Sequence, residues 1–158
     1  MFNNKIKAVV IADTHNTLLQ REVNKLFSYP VDLVIILGDI GEHDWEVLLN
    51  SQKFCEMTKL AVAGNHDTEQ MYININKRLG KYSFDTILAA GDDPRIMKKY
   101  NPIVLLNPGK NDISIPVYIV KDIIFAGISG SVKYKNIDSP FLKTQRQALD
   151  EIKNIPAA

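Results

Sequence analysis

Three short polar clusters in this sequence carry side chains that could bind a metal ion or transfer a proton. They are Asp13-Thr14-His15, Gly38-Asp39 and Gly64-Asn65-His66-Asp67. Carboxylate, carboxamide and imidazole groups form an oxygen and nitrogen ligand set that suits hard or borderline divalent cations. Histidine can also donate or accept a proton near neutral pH. The residue types therefore indicate metal-assisted or acid–base chemistry.

Each polar cluster directly follows a mostly apolar run that is typical of a buried strand. We predict these strands over residues 6–12, 33–37 and 60–63, because β-branched side chains favour extended structure. The clusters recur at intervals of 26 residues, which fits one strand–helix unit. Parallel strands joined by helices bring their carboxyl ends to one edge of an open sheet, so the three clusters should converge there. Gly38 would let the chain turn sharply beside Asp39.

Helices and further strands are predicted around these runs from apolar periodicity and capping residues. The predicted helices cover residues 16–27 with an N-cap at Asn16 or Thr17, residues 45–57 capped by Asp44, residues 69–79 stopped by Gly80, residues 94–100, and residues 141–152 capped near Ser139 and Pro140. The predicted strands cover residues 84–89, Ile103–Leu106, and a hairpin of Val117–Val120 with Ile123–Ala126. The sequence thus predicts an α/β fold.

The three clusters, in this order and spacing, resemble the first three motifs of the calcineurin-like metallophosphoesterases. The resemblance implies an αββα architecture, in which β-sheets are sandwiched by helices. The family pattern continues with a later histidine and a Gly-His-x-His motif, and neither stands in this sequence. We therefore expect one domain over residues 1–158 that is truncated at its C-terminal side, with an incomplete second sheet.

The resemblance also implies a role for each residue of the clusters. Asp13, His15 and Asp39 would bind one divalent metal ion, and Asp39 with Asn65 would begin a second, weaker site for Mn, Mg, Zn or Fe. A single loop aspartate usually caps a helix or closes a turn, but two of them beside His15 favour the ligand interpretation.

The implied reaction is hydrolysis of a phosphomonoester or phosphodiester by a metal-activated water. His66 would protonate the leaving group, with Asp67 beside it to fix its tautomer. The alternative is a catalytically weak or inactive relative that uses the fold as a scaffold or binding surface.

Composition limits the partners and the compartment. The chain has 19 Lys plus Arg against 18 Asp plus Glu, which gives no general electrostatic reason to expect nucleic acid or an anionic membrane. Cys55 is its only cysteine, so an internal disulfide is excluded, and because the longest apolar runs are strand-length we expect neither a signal peptide nor a membrane-spanning helix. We expect a cytoplasmic protein with a phosphorylated substrate. We also expect a homodimer through residues 113–131, because a shortened sheet would expose a strand edge.

Overall fold

The computed structural model describes residues 5–80, 103–106, 114–115, 117–132 and 142–155. The strand predicted over residues 84–89 and the helix predicted over residues 94–100 lie outside these ranges. Among the described helices, none is long and apolar enough to cross a membrane.

A parallel sheet forms the centre of the described structure. Its five strands follow one another in chain order: β1 (Ala8–Ile11), β2 (Leu33–Ile36), β3 (Lys59–Ala61), β4 (Ile103–Leu106) and β5 (Ser114–Ile115). The register aligns Val10, Ile35, Leu60 and Val104 in one row across the first four strands. Because all strands run in one direction, the three polar clusters share one edge of the sheet, as the sequence predicts.

Four helices cover one face of this sheet and close the main core. They are α1 (Gln20–Leu26), α2 (Glu42–Leu49), α3 (Gln52–Glu56) and α4 (Glu69–Gly80). The prediction of a single helix over residues 45–57 is wrong, because the helix is interrupted at Asn50 and Ser51. The Ser51 hydroxyl accepts the N–H of Phe54 at 3.3 Å and so starts α3 as a separate helix.

The first helix begins later than the sequence predicts. Its N-cap is Leu19 and not Asn16 or Thr17, and the Glu22 carboxylate accepts the Leu19 N–H at 3.0 Å. Residues 16–18 therefore belong to the loop that carries Asp13 and His15 and not to α1.

A hairpin covers part of the other face. It consists of β6 (Val117–Val120) and β7 (Ile123–Ala126), as predicted, and it buries Leu60 and Val104 beneath Tyr118 and Phe125. An ion pair between Lys121 Nζ and Asp32 Oδ1, at 2.6 Å, ties the hairpin turn to the central sheet.

The end of the described chain adds a small parallel pair and one helix. β8 (Ser131–Val132) pairs with β9 (Leu142–Lys143), and α5 (Gln145–Lys153) follows. The predicted helix is therefore present, but its predicted start is wrong, since the Thr144 hydroxyl caps it by accepting the Gln147 N–H at 3.2 Å. Helices flanking a parallel sheet and a second, small antiparallel sheet confirm the predicted fold class.

Candidate metal site

The loops after β1, β2 and β3 lie side by side at the carboxyl edge of the sheet. The N–H of Asp13 donates to the Gly38 carbonyl at 3.0 Å, and the N–H of His15 reaches the Asp39 carbonyl at 3.4 Å. The N–H of His66 donates to Asp39 Oδ1 at 2.9 Å. Asp39 thus contacts both neighbouring loops, and the predicted convergence of the three clusters is confirmed.

Three of the predicted site side chains gather at a solvent-accessible place. Asp13 Oδ1 lies 2.7 Å from His15 Nε2, and these two side chains are 73% and 54% exposed. The imidazole of His66 packs edge-to-face near that of His15, with ring centres 5.6 Å apart. A small molecule in solvent can therefore reach all three.

The donor types fit a divalent cation, but the described residues do not form a complete ligand cluster. Asp13 and His15 contact one another directly, and Asp39 Oδ1 is occupied by the His66 N–H. Asn65 is half-buried in the loop of His66. Within the described parts of the chain, no three His, Cys, Asp or Glu side chains are grouped so that they could hold a metal ion. The ligand role of the four residues stays a prediction.

Left-handed backbone conformations are concentrated in these loops. Asp13, His15, Asn16 and Asp39 have φ angles of 53°, 44°, 66° and 55°. Such angles are uncommon outside glycine and cost free energy, so the surrounding contacts must enforce them. The predicted ligands thus have backbone conformations that are unfavourable for an isolated chain and that contacts within the fold must stabilise.

Gly38 and Gly64 allow the closest approach between two of the loops. Gly38 has a φ of 83°, and a Cβ there would lie 2.1 Å from the backbone nitrogen of Gly64. A Cβ on Gly64 would lie 2.2 Å from Asp39 Oδ1. Only glycine fits at either position, because a methyl group would push the Asp39 and Asn65 loops apart.

Asp44 holds the loop of His15 from the neighbouring helix. Its side chain is fully buried, and its two oxygens accept the N–H groups of Asn16 at 2.7 Å and Leu18 at 2.8 Å. The prediction that Asp44 caps its own helix is wrong, since the N-cap of α2 is Gly41. In return, the Asn16 carboxamide oxygen accepts the His43 N–H at 2.9 Å, so the loop caps the helix from across the site.

Asp67 joins the other two loops. The side chain is buried, and its Oδ2 accepts the N–H of Asp39 at 3.1 Å, the N–H of Gly64 at 2.8 Å and the hydroxyl of Tyr72 at 2.8 Å. Burial raises the pKa of Asp67, and these hydrogen bonds oppose that rise.

The structure corrects the role that the sequence suggests for Asp67. No hydrogen bond links it to the His66 imidazole in the described part of the chain, so it does not set the tautomer of that ring by direct contact. Asp67 instead holds the backbone N–H of the candidate ligand Asp39 and that of Gly64, the residue before the candidate ligand Asn65.

Two further residues support the site and were not predicted. Ser129, fully buried, accepts the Ala63 N–H at 2.9 Å and donates to the Leu106 carbonyl at 3.2 Å, which ties the loop after β7 to the ends of β3 and β4. Tyr72 is also fully buried, and burial raises its pKa well above the ordinary value. No short-range sequence signal singles out Tyr72 within its helix, and none distinguishes Ser129 from an ordinary loop serine.

The remaining reactive side chains have ordinary environments. His43 and Glu42 are exposed at the start of α2. Cys55 is half-buried beside the main core, and burial raises the pKa of its thiol, which does not favour a nucleophilic role.

One comparison with known proteins gives a match. A family model described as the calcineurin-like phosphoesterase superfamily domain matches residues 6–86, which include all three polar clusters. No curated protein and no solved structure matches the chain.

Proposed function

The chain belongs to the calcineurin-like phosphoesterase superfamily, and we propose that it is a metal-dependent phosphoesterase that hydrolyses a phosphomonoester or phosphodiester. The family supports a phosphoesterase-type function and divalent metal binding in general terms. The observation that carries the proposal is the convergence of the Asp13, Asp39 and His66 loops at one edge of the sheet.

In this proposal Asp13, His15, Asp39 and Asn65 hold two divalent ions, of Mn, Mg, Zn or Fe. Two such ions supply an activated water and neutralise charge on the phosphoryl oxygens. The contact between Asp13 Oδ1 and His15 Nε2 supports the first site, because it shows that these two donor atoms reach the same place. Asp39 lies between the other two loops, since its backbone carbonyl accepts the His15 N–H and its carboxylate accepts the His66 N–H, and in this proposal it serves both sites.

His66 is the proposed general acid. Its exposed imidazole lies next to that of His15, and its backbone is tied to the Asp39 carboxylate. A histidine in this position can protonate the leaving alkoxide of the ester. Asp67 and Tyr72 would act as positioning residues, since they hold the loops and do not face the substrate.

The proposal is tested by hydrolysis of p-nitrophenyl phosphate and bis(p-nitrophenyl) phosphate with added Mn²⁺. We expect His66→Ala to lower kcat by roughly 10²- to 10⁴-fold and Asp39→Asn to abolish the response to Mn²⁺. The matched controls are His43→Ala and Asp122→Asn, which replace exposed residues of the same types. Activity that survives both site variants would belong to another site or a contaminant, and the proposal would fail.

A scaffold or binding protein is the second candidate. It is favoured by the finding that, among the described residues, no three His, Cys, Asp or Glu side chains are grouped so that they could hold a metal ion. Equilibrium dialysis with metal analysis separates the two candidates. Two ions bound per chain, and lost in Asp39→Asn, support the enzyme. No bound ion at millimolar Mn²⁺ supports the scaffold.

A further inference from the structure

A groove of about 700 Å³ lies between β1 and α1, at the side of the sheet. Its lining is mostly apolar and includes Val9 of β1, Leu26 of α1 and residues 29–31. Leu26 and Tyr29 are 38% and 66% exposed, so part of this apolar surface faces solvent. The volume lies within the range of pockets that bind ligands, and the groove therefore has room for apolar groups of a bound molecule.

β1 is an edge strand in the described part of the sheet, with β2 as its only described neighbour. The carbonyls of Lys7 and Ile11 accept backbone N–H groups from the two ends of β2, at 2.8 and 2.9 Å. Backbone groups of alternate residues point to the same side of a strand in a parallel pair, so the N–H and C=O of Ala8 and Val10 point away from β2. Both residues are exposed. The edge therefore offers two donors and two acceptors at the spacing of an extended chain.

Two lysines line the groove at one end. Because α1 returns the chain from the carboxyl edge of the sheet to its amino edge, Lys25 in the last turn of α1 and Lys7 just before β1 both lie toward the amino edge. Neither lysine forms an ion pair with a described residue, and Asp32, which accepts the Lys7 N–H, is paired with Lys121. This end of the groove can therefore attract an anionic group.

Glu22 is the one acidic residue of the lining. Its Oε2 accepts the Leu19 N–H at 3.0 Å, so this carboxylate is held toward the start of α1 and away from the amino edge. The positive end and the apolar middle of the groove thus remain distinct.

We propose that this groove binds an extended peptide that pairs with β1 as an added antiparallel strand and ends in a free C-terminal carboxylate beside Lys7 and Lys25. Antiparallel pairing places the C-terminus of the peptide at the amino end of β1, where the two lysines lie. Every second side chain of the peptide then faces the helix side of the sheet, where an apolar side chain can pack on Val9 and Leu26. A fatty acid also has a carboxylate and an apolar chain, but it has no partners for the outward backbone groups of β1. Peptide binding does not depend on the proposed phosphoesterase activity.

The probes are three synthetic peptides of alternating serine and valine that end in valine, leucine or phenylalanine and carry fluorescein at the N-terminus. They are titrated with the metal-free full chain while fluorescence anisotropy is followed. We expect saturable binding of at least one peptide. Its C-terminal amide should bind roughly tenfold more weakly or less tightly still, because a hydrogen-bonded charge is removed.

N-methylation of the peptide backbone tests the strand pairing. In an added strand only alternate N–H groups face β1. Methylating one alternate set of nitrogens should therefore weaken binding by roughly tenfold or more, and methylating the other set should leave it nearly unchanged. A contact made by side chains alone would not show this alternation.

A matched pair of variants locates the carboxylate. Lys25→Glu should weaken binding of the free-carboxylate peptide by roughly tenfold or more and remove its advantage over the amide. Lys77→Glu is the control, because Lys77 is an exposed lysine in the last turn of α4, as Lys25 is in α1, but lies outside the groove lining. Thermal unfolding of both variants checks that each is folded.

Three outcomes would overturn the inference. They are no saturable binding of any of the three peptides at submillimolar protein concentration, equal effects of the two N-methylated sets, and equal effects of the two glutamate variants. Binding of sodium laurate without binding of the peptides would assign the groove to a lipid anion and would also overturn it. The proposed function is judged separately by hydrolysis of the nitrophenyl esters, which requires neither the peptide nor the groove.

Discussion

Replacement of Asp44 by asparagine should destabilise the protein and loosen the loop of His15. Asp44 is fully buried and accepts two short hydrogen bonds, from the Asn16 N–H at 2.7 Å and from the Leu18 N–H at 2.8 Å. In Asp44→Asn only one carboxamide oxygen remains as an acceptor, and the NH₂ group would face the other backbone N–H. One bond to the carboxylate is lost and one buried donor is left unsatisfied, which costs about 2 to 3 kcal/mol.

Urea unfolding followed by Trp45 fluorescence measures this loss. In a domain of this size a loss of about 2 to 3 kcal/mol corresponds to a decrease in Tm of about 4 to 12 °C. The matched control is Glu42→Gln, an exposed carboxylate in the first turn of the same helix. The control should stay within about 0.5 kcal/mol of the natural protein.

The same variant tests whether the two hydrogen bonds of Asp44, which we call the Asp44 clamp, matter for the candidate metal site. If Asp44 holds the loop that carries Asp13 and His15, then Asp44→Asn should also weaken Mn²⁺ binding under conditions where the protein is still folded. If the free energy of unfolding of Asp44→Asn equalled that of Glu42→Gln, the stabilising role of the Asp44 clamp would be refuted. Unchanged Mn²⁺ affinity in a destabilised variant would show that the clamp serves the fold and not the site.

Two further predictions concern pH and self-association. Burial lowers the pKa of Lys59 to about 7, although its ammonium donates to the Cys55 and Met57 carbonyls. In the unfolded chain Lys59 stays protonated up to its ordinary pKa of 10.5, so the unfolded state binds more protons than the folded state above pH 7. The free energy of unfolding should therefore rise from pH 7 to pH 10.5, by at most about 1.4 kcal/mol per pH unit. Lys59→Met should remove this rise in urea unfolding. For the predicted dimer through residues 113–131, Ile119 and Ile124 lie opposite one another on the hairpin and are 61% and 48% exposed. Ile119→Lys should lower the mass measured by light scattering at micromolar concentration to that of a monomer, whereas a monomeric natural protein would refute the dimer.

The strands and the hairpin could be predicted because their signals are local. Apolar runs place β1, β2 and β3 within two residues of their observed ends, and equal spacing of the polar clusters implies their shared edge. The hairpin follows from two short apolar runs, rich in β-branched and aromatic residues, with Lys121 and Asp122 between them. Both turn residues have positive φ, 48° and 64°, as a two-residue hairpin turn requires.

The helix starts could not be predicted because their capping partners are distant in sequence. Short-range rules assign Asn16 to α1 and Asp44 to the helix that follows it. In the structure, Asp44 accepts two N–H groups of the loop before α1, and Asn16 accepts an N–H group in the first turn of α2. These partners are 26 to 28 residues apart in the chain. Asp67 stands next to His66 in sequence, but its Oδ2 accepts the N–H of Asp39, 28 residues away, as well as the nearby Gly64 N–H and Tyr72 hydroxyl.

These distant contacts explain how the loops keep a strained backbone. Each left-handed non-glycine residue costs of order 1 kcal/mol or more, and the loops around the candidate site contain four of them, Asp13, His15, Asn16 and Asp39. The two buried carboxylates of Asp44 and Asp67 accept five hydrogen bonds, four of them from backbone N–H groups of these loops. At about 1.5 to 3 kcal/mol for a bond to a charged group, such bonds are strong enough to offset the strain. These bonds therefore set the backbone at the candidate ligands, and an ion at the proposed site would still have to displace the side-chain contact between Asp13 and His15.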